Sequence, residues 1–490
     1  MKRTSRLAAT LFVCFAIICA AVAAQATSPV FPVDREFYPY YPSLIKWNKS
    51  SVPFNAPEVC GGCHEKQYKE WNGSVHSLAF KDPVYQGELN KAVKAVGHDI
   101  ARQCEGCHTP IGVVTGEVKA PGLAGLSAIA LAGVSCDVCH SISGVTHQQT
   151  PARVAENGSF IMTPGVETTS GQALIKRGPI PNHKECGGGF HQCEESPLHL
   201  QANLCASCHQ VYHYDDHFPI EATYNEWIAG PYAQKGIMCQ DCHMVDVQTF
   251  KRTADQFVKP ERKEYKHYFS GANYLLTYLA SGAAKKAGDE ELAKSMMNQY
   301  EMAVERLKSA ADLELFPIYH NGKLDELKVR VKNIRAGHNL PTSLTNVRQM
   351  WLEITAKDEN GKVVMTSGTL NPDGSLSEVA RNFASDGMTK DFHFTVDPWS
   401  LVSFSKHDTI PPKGYRETYY GLHFPAGLKK VTIEAKLRFR QADQKVAEAL
   451  LAAVPKDINL EQTYGLKAVP PLPVVDMAVK QVTVDTSSAS

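Results

Sequence analysis

The sequence predicts an α+β multidomain chain with a mostly helical and irregular N-terminal part, a helical hairpin and a C-terminal antiparallel β-sandwich. Three observations lead there. A cysteine-histidine pattern recurs five times before residue 244. Apolar residues then repeat at three- and four-residue spacing between 292 and 311, and from Asp325 onward they alternate, as half-buried strands do. A chain of 490 residues is also too long for one ordinary core.

The N-terminus has the order of a secretory signal: Lys2, Arg3 and Arg6, an apolar run from Leu7 to Ala24, then small residues up to Ala26. Residues 1–26 are therefore read as a removable leader. An uncleaved anchor is the alternative, and a lipid anchor on Cys19 is disfavoured by the bulky Ile18 before it. Later stretches fall short of the roughly 20 apolar residues that span a bilayer. Residues 27–58, rich in Pro, Tyr and Phe without a helical period, read as an extended arm. The 51 basic and 51 acidic residues cancel, so no basic face is advertised for nucleic acid.

Fourteen cysteines are present, and Cys14 and Cys19 fall in the leader. Ten others form Cys60-Gly-Gly-Cys63-His64, Cys104-Glu-Gly-Cys107-His108, Cys136-Asp-Val-Cys139-His140, Cys205-Ala-Ser-Cys208-His209 and Cys239-Gln-Asp-Cys242-His243. This is the c-type haem attachment pattern: two thiols add to the vinyl groups on one porphyrin edge, and the adjacent histidine is carried to the iron. A thioredoxin-like pair has no need of the histidine, and zinc sites use other spacings. Five covalently bound haems c are therefore expected, with His64, His108, His140, His209 and His243 as axial ligands, which makes residues 59–270 a pentahaem domain. With little peptide per haem, the porphyrins supply much of its core, and hydrophobic periodicity there should be weak.

Cys186 and Cys193 are left over and lack a following histidine. The loop between them, Gly187-Gly-Gly-Phe-His191-Gln, is flexible and the exported compartment oxidising, which favours a disulfide. Closing so short a loop contributes roughly 2–3 kcal/mol. Two free thiols or an unusual metal site are the alternatives.

Leu292, Met296, Met297, Tyr300, Val304, Leu307 and Ala311 share one helix face, so residues 271–324 read as a helical segment whose methionines pack rather than ligate. Leu327-Lys-Val329-Arg-Val331, Met350-Trp-Leu352-Glu-Ile354 and Val431-Thr-Ile433-Glu-Ala435-Lys-Leu437-Arg-Phe439 read as strands of a sandwich over 325–484, with 485–490 a tail. Asp358-Glu-Asn360-Gly361 reads as a hairpin turn.

Nineteen histidines leave fourteen for the far side of five irons, so bis-histidine coordination is favoured for most or all sites. Several stretches are similar to multihaem c-type cytochromes: Cys60 through His76, Gly133 through His140, Ser196-Pro-Leu-His199 before Leu204 to His209, and Thr223-Tyr-Asn-Glu-Trp227 through Met244. So are His267-Tyr-Phe-Ser-Gly-Ala-Asn273 and Gly337-His338-Asn-Leu-Pro341-Thr342. The resemblance spans roughly residues 58–355 and reaches the tetrahaem carrier of hydroxylamine oxidation and the cytochromes of respiratory and extracellular electron transfer. It implies His76, His199, His267 and His338 as distal ligands. For the fifth, His98, His147, His183 and His213 are open, with His98 taken first. His338, on a turn between Gly337 and Pro341, would carry a ligand from the β-sandwich to the haem domain.

The resemblance implies an electron carrier of the periplasm, cell surface or extracellular space. Its partners would be other redox proteins, such as cytochromes, a quinol-oxidising membrane complex or a terminal reductase, with peripheral membrane docking open. An enzyme acting on a small nitrogen or sulfur compound is the alternative. The pentahaem nitrite reductases, which it resembles in size and haem number, carry a C-x-x-C-K motif that this sequence lacks. A homo-oligomer or filament joined through the arm or the β-domain is a third reading.

Overall fold

A computed structural model describes residues 45–47, 52–146, 156–180, 186–261 and 264–487. The leader, most of the N-terminal arm, His147 and His183 lie outside the described residues.

From Pro57 to Gln256 the chain is a string of short helices broken by small strands. Each helix has a local cause. Pro83–Val96 begins on Asp82, whose carboxylate accepts from the Val84 N–H at 2.9 Å, with Pro83 in the first turn; it stops at Gly97, φ 86°. Of the arm, Lys46–Trp47 is described, paired in parallel with Phe160–Met162. The hairpin Gly165–Thr168 with Gly171–Gly178 leads into the parallel strand Gln192–Glu195.

The helical hairpin consists of Tyr274–Lys286 and Glu290–Ala310. Gly288, φ 84°, turns the chain, and the Asp289 carboxylate caps the second helix by accepting from the Leu292 N–H at 2.9 Å. The helical segment read from 271 to 324 ends at Ala310, because Ala311–His320 is a strand. Ala311 continues the helical stripe, but Leu313 and Leu315 fall in register opposite Val331 and Val329 on the next strand, so alternation wins there.

The C-terminal part is a sandwich of two antiparallel sheets. One is ordered Tyr415–Gly421, Lys323–Asn333, Ala311–His320. The other is ordered Val363–Ser367, Gln349–Lys357, Lys430–Arg440, Val475–Asp485, and Arg381–Asn382 also pairs with Gln349–Lys357. Leu327, Val329 and Val331 from the first sheet and Leu352, Ile354, Ile433 and Leu437 from the second are fully buried in one core, which Tyr274, Ala303 and Leu307 of the helical hairpin share. The expected turn at 358–361 is present: the Asp358 carboxylate accepts from the N–H groups of Asn360 and Lys362 at 2.9 Å, and Gly361 has φ 80°. Near its end the chain returns to the N-terminal part as the helix Gln444–Ala452, which lies on Pro83–Val96. The backbones approach so closely that a Cβ on Gly87 would come within 1.9 Å of the Leu450 carbonyl oxygen.

Candidate haem-binding site

Four of the five cysteine-histidine patterns end or form a helix: His98–His108, Cys136–Ser141, Ala202–His209 and Cys239–His243. Residues three and four apart share a helix face, so both thiols and the following imidazole point the same way. In the first pattern the helix Pro57–Gly61 ends early, and His64 starts the next helix, Glu65–Asn72. Among the described residues these ten cysteines are unpaired by disulfides. All of them except Cys104, and all five pattern histidines, line one cavity of about 1530 Å³.

The patterns abut one another. The Cys60 thiol lies beside that of Cys136, Cys205 beside Cys239 and Cys208 beside Cys107, with Cys139 near Cys205. The sites thus run first, third, fourth, with the second and fifth both adjoining the fourth.

Four pattern histidines face a second imidazole across the cavity. Ring centroids are 6.4 Å apart for His64 and His191, 6.4 Å for His76 and His209, 6.3 Å for His140 and His267, and 6.3 Å for His243 and His338, with ring planes inclined by 32° or less. Two imidazoles that share one metal ion, each bonded at about 2 Å, have centroids about 6 Å apart, so these pairs fit an iron between them. Among the described residues the Nδ1 of His76 is buried without a hydrogen-bond partner, but five other Nδ1 atoms are anchored. Those of His140, His243, His267, His338 and His191 lie 2.5–3.1 Å from the carbonyl oxygens of Arg177, Ser270, Tyr265, Asn339 and Gln192. Anchoring Nδ1 fixes the ring and leaves Nε2 for the metal.

His76, His267 and His338 are held by stretches that resemble multihaem cytochromes in sequence. Val134 N–H donates to the His76 carbonyl at 3.0 Å, and Gly133 lies so close that a Cβ there would meet that carbonyl at 2.5 Å. His267 N–H donates to Glu70 at 2.8 Å, and two residues on, Phe269 packs on His76 at 4.5 Å. In Thr223–Ile228, Glu226 accepts from Asn339 N–H at 3.1 Å and Thr342 Oγ1 at 2.5 Å, gripping the His338 loop. Gly337 is not in the left-handed region, and a Cβ added there would meet the Tyr232 and Trp227 rings at 3.7–3.8 Å, an ordinary contact. Arg306, from the helical hairpin, donates to the carbonyls of Cys242 and Val245 at 2.9 and 2.8 Å, fixing the fifth pattern from behind.

Enclosure by protein lowers the pKa of His76 and His243 to about 3 and of His267 to about 4, so these rings are neutral, as metal ligands must be. For His209 enclosure also pulls downward, but Glu221, whose Oε1 lies 3.5 Å from Nδ1, lifts the pKa to about 9.

The remaining candidates are placed differently. His199 faces His140 at 5.8 Å, but its Nε2 lies 3.0 Å from the Cys139 carbonyl and its buried Nδ1 has no hydrogen-bond partner. His98 is bonded to Glu105 at 2.8 Å and lies outside the cavity wall. His213 lies against the Trp399 carbonyl at 3.0 Å and Asp216. His191 enters unannounced: its only sequence signal is its position between Cys186 and Cys193, which the structure joins in a disulfide with Cα atoms 5.9 Å apart. His108 is the exception among pattern histidines. Its Nδ1 lies 2.7 Å from the Ala79 carbonyl and Tyr85 stacks on its ring at 3.7 Å, but among the described residues no imidazole faces it.

Residues 59–141, which hold the first three patterns, match the family model described as "Cytochrome c554 and c-prime". The fold is similar to that of a penta-heme cytochrome c552 from Thermochromatium tepidum, at a TM-score of 0.58 and 18% identity, covering 88% of this chain and 99% of the other. The matched stretch and the fold both resemble those of multihaem c-type cytochromes. An X-ray structure of a Northeast Structural Genomics Consortium target also matches, at a TM-score of 0.14 and 9% identity over 27% of this chain and 75% of the other, too remote to carry an argument. No curated protein matches. The pattern cysteines fit the attachment of haem c, and the α+β multidomain fold is shared with the penta-heme neighbour.

Proposed function

We propose that this cytochrome carries five haems c and passes electrons along them in a respiratory chain of the periplasm, cell surface or extracellular space. The observation that supports this best is the contact between attachment points: Cys60 beside Cys136, Cys205 beside Cys239 and Cys208 beside Cys107. A thioether sulfur sits on a porphyrin edge, so neighbouring sulfurs bring neighbouring edges together. Bound haem supplies reversible one-electron chemistry. The chain's part is to hold the sites in one cavity and to close both faces at His64, His140, His209 and His243 with second imidazoles from His191, His267, His76 and His338. The N-terminal run fits an export signal, and among the described residues no helix is long and apolar enough to cross a membrane. Other redox proteins would be the partners.

The relay reading is tested by rapid mixing with a one-electron donor under anaerobic conditions. All five haems are expected to reach equilibrium together; a haem that stays oxidised while higher- and lower-potential haems around it fill would break the relay.

One observation favours a second reading, in which a small nitrogen or sulfur compound is reduced or oxidised at one site. Among the described residues His108 has no imidazole opposite it, and Tyr85, whose buried hydroxyl has no hydrogen-bond partner there, lies against its ring. Turnover of such a compound, lost on replacing Tyr85 by Phe with haem content intact, would favour the enzyme.

A further inference from the structure

The four far-side imidazoles are not held alike. His338 is fixed by Asn333 at the end of a sheet strand and, through Asn339, by the distant Glu226, and His267 by the distant Glu70. The contacts of His191 come from its own loop. Cys186 and Cys193 are seven positions apart and bonded, and Gly187, Gly188 and Gly189 between them have φ of 75°, 54° and 83°, a region that favours glycine. The loop backbone lies on the imidazole: a Cβ on Gly187 would be 2.9 Å from Nδ1 and 3.1 Å from Cε1. Cys193 Sγ lies 3.7 Å from the same Nδ1. The ring so held faces His64 at 6.4 Å. Phe190 beside it is 56% exposed and both sulfurs belong to half-buried residues, so the bond is within reach of solvent.

We propose that the Cys186–Cys193 disulfide is a removable clamp on the sixth ligand of the first haem. With the bond closed, His191 occupies the position opposite His64; when a dithiol reduces it, His191 is released and that site accepts a small exogenous ligand. The step balances as thiol–disulfide exchange. A thiolate of the dithiol attacks one protein sulfur, its second thiol displaces the resulting mixed disulfide, and two electrons and two protons pass from the dithiol to Cys186 and Cys193 as the reductant closes its own disulfide. The proposal rests on reading Cys60, Cys63 and His64 as a haem site.

The test uses the full ferric protein with its haems attached. Wild type would be reduced with dithiothreitol, alkylated with iodoacetamide and its haems reoxidised with ferricyanide, then compared with untreated protein, with the Cys186→Ser/Cys193→Ser double variant, with His191→Ala and with Gly187→Ala. The readouts are cyanide bound per chain and the low-spin paramagnetic signal. Alkylated protein and all three variants should bind one more cyanide per chain than untreated protein and lose one haem's low-spin signal, and added imidazole should restore that signal in His191→Ala. Unchanged cyanide binding in His191→Ala would overturn the ligand. A gain in His191→Ala without one in the alkylated protein and the double variant would overturn the clamp. Intact mass separates these failures from that of the underlying reading, which would show as a bare first pattern.

Discussion

In the C-terminal sandwich Leu327, Val329 and Val331 meet Leu352, Ile354, Ile433 and Leu437 with no side chain left exposed, whereas the N-terminal part surrounds a cavity faced by its pattern cysteines and histidines and also lined by His338, Met350 and Phe439 of the C-terminal part. The sandwich supplies its own core. The N-terminal part builds smaller clusters, such as Ile45, Phe54, Ile111, Val138 and Phe160, around a space left for porphyrin. Two regions of one chain thus derive stability from different sources: apolar side chains in one, covalently tethered cofactor in the other.

The comparison is broken most directly by withholding haem. Chain produced without haem attachment should lose protection from proteolysis across residues 57–273 while 311–487 stay resistant. Equal sensitivity of both regions would mean that the sandwich depends on the cofactor as well. A core substitution should do the reverse. Leu352→Ala, in the fully buried centre of the second sheet, should cost about 2–5 kcal/mol in denaturant unfolding of the sandwich, with the haem absorption spectrum unchanged under native conditions. A smaller effect sharpens the electrostatic side. Glu221 lies against His209, and its negative charge favours the ferric over the ferrous state, so Glu221→Gln should raise the potential of one haem. The rise should be about 60 mV, the one-electron equivalent of a tenfold change, in a spectroscopic redox titration; no shift would leave Glu221 without influence on the iron.

The same contrast explains what could be read in the sequence. Val329, Ile354 and Ile433 announced their strands because protein packs on one face of each, and Asp358 to Gly361 announced its turn through side-chain chemistry. The attachment patterns were equally legible, since covalent chemistry dictates their spacing. Far-side histidines are a tertiary matter. The expectation for His76, His267 and His338 rested on stretches whose neighbours Gly133, Phe269 and Glu226 pack beside them, and that for His199, whose Nε2 lies by a carbonyl, had the same origin. His191 had no local signal beyond its flanking cysteines, and the strand beginning at Ala311 was hidden because that alanine also continues the helical stripe of Leu307.

The central proposal is that this chain builds five haem sites, of which, among the described residues, four present two imidazoles and one, at His108, presents one. Electron paramagnetic resonance of the resting ferric protein, with haem quantified by intact mass, tests it in one experiment. Five haems, four low-spin and one high-spin per chain, is the result the structure predicts. An entirely low-spin spectrum would contradict the vacancy at His108, and two or more high-spin haems would contradict the paired imidazoles.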